Sequence, residues 1–272
     1  MFISSIPLGP IQFQTFNFIG LVAFLFGSFV FWKIARTEHY EEIEIFDLTL
    51  LSVFWGVLGA RLLYVMLHFD DFGLNIFYWI SFWSKPGLYW GGLYLGGLGM
   101  FIKFCQEHKW DVYKTLDLAV IGLSLSQAVV NLGLFLSGAG AGRVTYLPIG
   151  VVFPGSFEPR YPIALFAALL WLGMFLFLNW VEGKYRKFEW YQRFKGDSKP
   201  GFLVFVYLIA LGFIGLILSL LSEPEYVFYG VNMDLALRIS IMLTGILGLV
   251  GRSGFGTRLN LDEIFFLKRL KK

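Results

Sequence analysis

One cysteine among 272 residues, Cys105, leaves no partner for an intrachain disulfide and no thiolate cluster for a metal. Histidine is almost as scarce. His39, His68 and His108 are scattered over loops and helix ends, so neither a redox centre nor a His-ligated metal is indicated, and no metal or cofactor is expected. Charge is sparse too. With 15% charged residues against 57% hydrophobic and 19% aromatic, there is too little polar side chain to clothe a water-soluble globule of this size. Lipid is the expected solvent. The net charge of +3 is modest, and the basic residues fall in short separate segments without a helix-turn-helix, finger or aromatic-basic strand pattern, so nucleic acid is not an expected partner. No lysine or arginine precedes Lys33, so the charged start of a cleavable signal peptide is missing. The first hydrophobic segment is expected to stay as a membrane helix.

What is abundant is apolar sequence in spans of membrane length. Runs of mostly apolar residues near 15–35, 47–67, 88–104, 115–136, 161–181, 201–221 and 235–251 are each long enough to cross about 30 Å of hydrocarbon. They predict an all-α polytopic membrane protein of about seven transmembrane helices, a single transmembrane domain over 1–272. Loops 33–46, 103–115 and 182–200 and the tail after 251 hold 17 of the 22 Lys and Arg residues. The other connections hold Lys85, Arg143 and Arg160. By the positive-inside rule this alternation places the N-terminus outside and the C-terminus in the cytoplasm.

Two outer connections stand apart. Residues 69–87 are rich in Phe, Tyr and Trp yet too short to span, which suits a segment lying in the headgroup layer. Residues 137–160 are rich in Gly and Pro and are expected to form an ordered outer cap. On the inner side, KYRKFEWYQRFKGDSK and the amphipathic tail suit contact with anionic lipid.

Arg61 and Arg238 are the cations inside the apolar spans, and a guanidinium there must snorkel, pair or face a polar cavity. If both point inward, they join Arg143 and Arg160 in an outward-facing anion site suited to a phospholipid phosphate. Asp70 and Asp234 are candidate counterions. Glycines cluster at GVLGAR, at WGGLYLGGLG with Gly91 and Gly92, and at LSGAGAGR with Gly138 and Gly142. Such small residues let helices, or a lipid chain, approach backbone closely. The GAGAG run lacks the G-K-[ST] ending and preceding strand of a phosphate loop. The membrane-embedded outer half offers no His, Cys or Glu for acid–base or nucleophilic work, and His68 and Tyr161 are the nearest titratable groups. No inverted repeat or Pro-broken pair of spans points to a transporter.

The order of motifs resembles the prolipoprotein diacylglyceryl transferases of bacteria, across almost the whole chain. IPLGPIQFQTFNFIGL stands where that family has a short I-G-P strand and a helix start, and GARLLYVMLHFDDF resembles its G-[AG]-R-x-x-Y-V segment. LYWGGLYLGG replaces F-H-G-G-L-x-G, and the stretch from Asp117 to Arg143 aligns without a gap to the signature G-R-x-G-N-F-I-N-G-E-x-x-G-R. VVFPG, RYPIALFAALL for R-H-P-[ST]-Q-L-Y-E, and SEPE for R-[EQ]-P-D follow in order.

The resemblance implies a multi-pass protein of the bacterial plasma membrane that moves the diacylglyceryl group of phosphatidylglycerol onto the lipobox cysteine of a prelipoprotein. On that reading phosphatidylglycerol-like phospholipid and a prelipoprotein signal peptide are the partners, Arg61, Arg143, Arg160 and Arg238 hold the phosphate, and His68 is the candidate base. The family's motif polarity is largely replaced. Trp90 stands for its histidine, Asn131 for its signature arginine, Leu134 and Ser137 for two asparagines and Ala139 for the glutamate. Tyr161, Ile163, Ala164, Phe166 and Ala167 fill the fifth-helix positions, and Ile19 a first-helix tyrosine. This pattern implies the alternative of a non-catalytic relative that binds phospholipid or a lipoprotein-like partner.

Overall fold

In the computed structural model, residues 5–8, 11–81, 85–185, 200–222, 227–228 and 231–253 are described. The loop KYRKFEWYQRFKGDSK, the tail and most of SEPE lie largely or wholly outside them. A short antiparallel hairpin, β1 (Ser5–Leu8) and β2 (Ile11–Gln14), leads into α1 (Thr15–Thr37) and α2 (Glu42–Leu67). Two short helices follow, α3 (Phe69–Phe72) and α4 (Ile76–Ile80), then α5 (Trp90–Glu107) and α6 (Val112–Leu136). Beyond α6, β3 (Ala141–Val144), β4 (Val151–Val152) and β5 (Pro159–Pro162) form a small antiparallel sheet in the order β3-β5-β4. Helices α7 (Ile163–Tyr185) and α8 (Phe202–Leu221), a hairpin of β6 (Val227–Phe228) and β7 (Val231–Asn232), and α9 (Met233–Ser253) complete the described chain.

The protein is therefore an all-α polytopic membrane protein. Helices dominate because hydrocarbon offers backbone groups no water, so each span must close its own hydrogen bonds. Among the described residues seven helices are long, and six of them, all but α5, are long and apolar enough to cross a membrane. The glycines of α5 and its polar end at Lys103, Gln106 and Glu107 dilute its apolar character. Phe18, Leu21, Leu25, Phe26 and Phe29 of α1 and Leu50, Val53, Phe54 and Trp55 of α2 are exposed, as lipid-facing side chains should be.

The chain forms two compact units, one of residues 1–30 and 116–272 and one of residues 31–115. In the smaller unit α2 packs along α5, with Ile45, Leu48, Val65, Phe101, Phe104 and Cys105 buried. The N-terminus of α6 is capped there by Asp111, whose Oδ1 accepts from the backbone of Tyr113 at 2.9 Å and Lys114 at 3.0 Å.

In the larger unit α8 packs along α9, and a second cap is built across the fold. The buried Asp117 of α6 accepts from the Gly201 amide through Oδ2 at 2.6 Å and from the Val204 amide through Oδ1 at 2.9 Å. An anion at the helix N-terminus satisfies orphan donors and meets the positive end of the dipole. Replacing Asp117 with asparagine leaves one acceptor oxygen for two donors. D117N should therefore lower stability by about 1–2 kcal/mol, read as an earlier thermal unfolding midpoint in detergent.

Candidate functional site

The cations picked out in the sequence reach very different surroundings. Arg61 sits on α2 two turns before its end and is 3% exposed. Its Nε donates to the Trp79 carbonyl at 2.8 Å and Nη1 to the Gly87 carbonyl at 3.0 Å. Nη2 donates to Tyr78 at 2.8 Å and Ser81 at 3.1 Å. A guanidinium has five N–H donors in a rigid fork, so this cage of carbonyls engages most of its capacity. Arg61 thereby ties the segment after α3 to the end of α2. The Phe72 ring lies 5.1 Å from both the Arg61 guanidinium and the Lys85 ammonium, which also donates to the Asp71 carbonyl.

His68 caps α2. Its Nδ1 is 3.0 Å from the Tyr64 carbonyl, and its ring stacks on Tyr64 at 4.2 Å. A carbonyl only accepts, so Nδ1 carries the proton and Nε2 keeps the basic lone pair in the neutral ring. Gly91 and Gly92 are buried at the start of α5, and Gly92 lies against the backbone of Gly59 and Ala60. That spacing serves helix packing.

In the larger unit Arg143 and Arg160 stand on neighbouring strands of the small sheet. Val144 of β3 pairs with Arg160 of β5, whose Nη1 donates to the Gly142 carbonyl at 3.1 Å. Arg143, which is exposed, donates from Nε to the Ser222 carbonyl at 2.9 Å. Arg238 is neutralised one turn away on its own helix: Asp234 Oδ2 accepts from Nη2 at 2.8 Å and Nε at 3.1 Å. The Cβ-free face of Gly215 makes room for that guanidinium. Gly138, at φ +80°, turns the chain out of α6. A Cβ on Gly142 would meet the Leu221 carbonyl at 2.6 Å and Ile163 at 2.7 Å, so this glycine lets β3 pass close to α7 and α8.

Within the loop from 137 to 160 lies a cavity of about 540 Å³, lined among others by Gly138, Phe153, Gly155, Phe157, Glu158 and Arg160. No motif marks Glu158 or its aromatic neighbours in the sequence. Among the described residues, no three His, Cys, Asp or Glu side chains gather as a metal site would require.

A family model described as prolipoprotein diacylglyceryl transferase matches residues 4–251. The chain belongs to that family. It is similar to the phosphatidylglycerol–prolipoprotein diacylglyceryl transferase of Clostridium tetani, 30% identical over 160 residues that cover 57% of this chain and 64% of that protein. The second such transferase of Clostridium perfringens is 29% identical over 199 residues, 66% of this chain and 73% of the other. The Ehrlichia canis transferase is 24% identical over 250 residues, covering 88% and 91%. The match thus spans just under two thirds of the Clostridium tetani protein.

In this diacylglyceryl transferase family member, the residues that the sequence resemblance sets against polar motif positions make structural contacts. Asn131 turns back and donates from Nδ2 to the Gln127 carbonyl at 2.8 Å. Trp90 packs edge-on to Tyr94 with ring centroids 6.1 Å apart. An indole N–H donates only, so Trp90 supplies no base. Ala164 and Ala167 are buried apolar contacts of α7.

Proposed function

We propose that the protein acts in a bacterial plasma membrane, N-terminus outside and C-terminus in the cytoplasm, as a transferase of the family's type. It would move diacylglyceryl from phosphatidylglycerol to the lipobox cysteine of a prelipoprotein. The observation that carries this reading is the match of the family model to residues 4–251. In the reaction the thiolate sulfur attacks the diacylglyceryl carbon bearing the phosphate ester. A C–S bond forms, the C–O bond breaks and glycerol phosphate leaves with the electron pair. Arg143 and Arg160 are assigned to the phosphate, because developing charge on a leaving phosphate is best met by fixed cations. Arg61 and Arg238 each hold the frame of their own unit.

A second reading has its own support. Asn131 is folded onto its helix and Trp90 lacks a basic lone pair, which favours a non-catalytic relative that binds phospholipid or a lipoprotein-like partner. Transfer of labelled diacylglycerol from phosphatidylglycerol to a lipobox peptide, by the purified protein in detergent, separates the two. Turnover that falls about 100-fold or more in Arg143→Ala supports the transferase. No turnover, with an active relative working in the same assay, assigns the binding role.

A further inference from the structure

Two stretches of the chain, displaced by 70 residues as 31 is from 101, fold alike. Phe31, Lys33, Asp47 and Leu48 recur as Phe101, Lys103, Asp117 and Leu118. Each stretch leaves its first helix through a residue of positive φ, His39 at 65° and Lys109 at 56°. The next amide reaches back to the preceding helix, Tyr40 to the Ala35 carbonyl and Trp110 to that of Cys105. Packing repeats as well. A Cβ on Gly27 of α1 would stand 2.9 Å from the Gly122 carbonyl oxygen of α6, and one on Gly97 of α5 would stand 3.2 Å from that of Ser52 on α2. Equivalent rings also meet each other, Phe31 and Phe101 at 6.4 Å and Tyr40 and Trp110 at 4.5 Å, as residues do across a local two-fold axis.

The two copies differ in what covers them. On α6, Asp117 caps the N-terminus of α8 through the amides of Gly201 and Val204, and Val120, Ile121 and Ser124 beside it are buried. The matching face of α2 is Asp47, Leu50, Leu51 and Phe54, and all four are exposed. Asp47 makes no ion pair or hydrogen bond among the described residues. A short carboxylate side chain on a lipid-facing helix cannot reach water as lysine or arginine does. Around it the charge is negative: residues 38–47 hold five acids and no Lys or Arg. Lys114, Arg36 and His108 face Glu38, Glu42 and Glu44, which leaves Glu41 and Asp47 without a cation. We propose that this face docks the N-terminal end of a partner helix that enters the membrane from the cytoplasm behind a cationic start, the chemistry of a signal peptide. Asp47 takes the first amides of that helix as Asp117 takes those of α8, Glu41 meets the cationic start, and Leu50 and Phe54 pack on the apolar run. That the peptide belongs to a prelipoprotein rests on the transferase reading.

The test uses the full chain in detergent and a fluorescent prelipoprotein signal peptide whose lipobox cysteine is replaced by serine, with a photo-cross-linker at the start of its apolar run. Cross-links should map to α2 between Ile43 and Phe54. Asp47→Asn should weaken binding about three- to tenfold, the worth of a helix cap, and Asp47→Lys should weaken it further. Exchanging the peptide's cations for glutamate should weaken binding to the wild type and improve binding to Asp47→Lys. Because Asp47 is exposed, both variants should unfold at the wild-type temperature. Cross-links confined to other helices, or unchanged affinity in both Asp47 variants, overturn the proposal. The probe has no thiol to accept diacylglyceryl, so the two readings fail separately. Transfer without cross-links on α2 removes the docking face, and docking without turnover in the transfer assay removes the transferase.

Discussion

Arg61→Met is expected to lower stability by about 3–5 kcal/mol, far more than a lost surface charge, because it strips the donors from the carbonyls of Tyr78, Trp79, Ser81 and Gly87 at once. Methionine fills much of the volume but donates nothing. Arg61→Lys keeps the charge, yet its single ammonium cannot span acceptors arranged for a planar fork, and it should fall between the two. Cys105 provides the readout. It is 0% exposed, so maleimide labelling during a thermal ramp reports opening of the α2–α5 pair. If Arg61 served only to bind phosphate, Arg61→Met would instead cut lipid retention and leave the labelling midpoint where it was.

Gly92→Val should be at least as damaging, by about 3 kcal/mol or more. A Cβ there would meet the Gly59 carbonyl oxygen and stand 2.7 Å from Ala60 Cα, backbone atoms that no rotamer change can move. The fit is mutual: a Cβ on Gly59 would stand 2.5 Å from the Gly92 carbonyl oxygen and 3.1 Å from Gly96 Cα. The matched control is Gly99→Ala on the same helix. It has open space within 4 Å and should be neutral or stabilising by about 0.5–1 kcal/mol. Cys105 labelling should separate the two variants clearly, and equal midpoints would refute close packing as the role of Gly92.

The long helices are legible in the sequence because about twenty apolar residues in a row have few structures open to them in lipid. The weakest of the seven segments, the one that became α5, is also the one that falls short of a span by composition. Its glycines make the shortfall, and they are what lets α2 approach. The Asp234–Arg238 pair is likewise legible, since residues four apart share a helix face. Arg61 is the opposite case. Its acceptors are main-chain carbonyls 17 to 26 residues downstream, and every residue type has a carbonyl, so no pattern of side chains announces them. The cavity is hidden for a related reason: Gly138 and Gly155 turn the chain around it, and only a folded loop brings Gly138 and Phe153 to one lining. Motif order reveals the family, while the replacement of its polar positions leaves the site to be read from geometry.

The burial of Cys105 has a consequence for any protein that hands diacylglyceryl groups to thiols. Such a catalyst risks alkylating itself, and a self-modified chain would carry label that mimics product. Here the one thiol is shut inside the packed end of α5, beyond reach of a bulky lipid donor while the fold is intact. Label found on the chain itself would therefore measure damaged molecules, and label on added peptide would measure turnover.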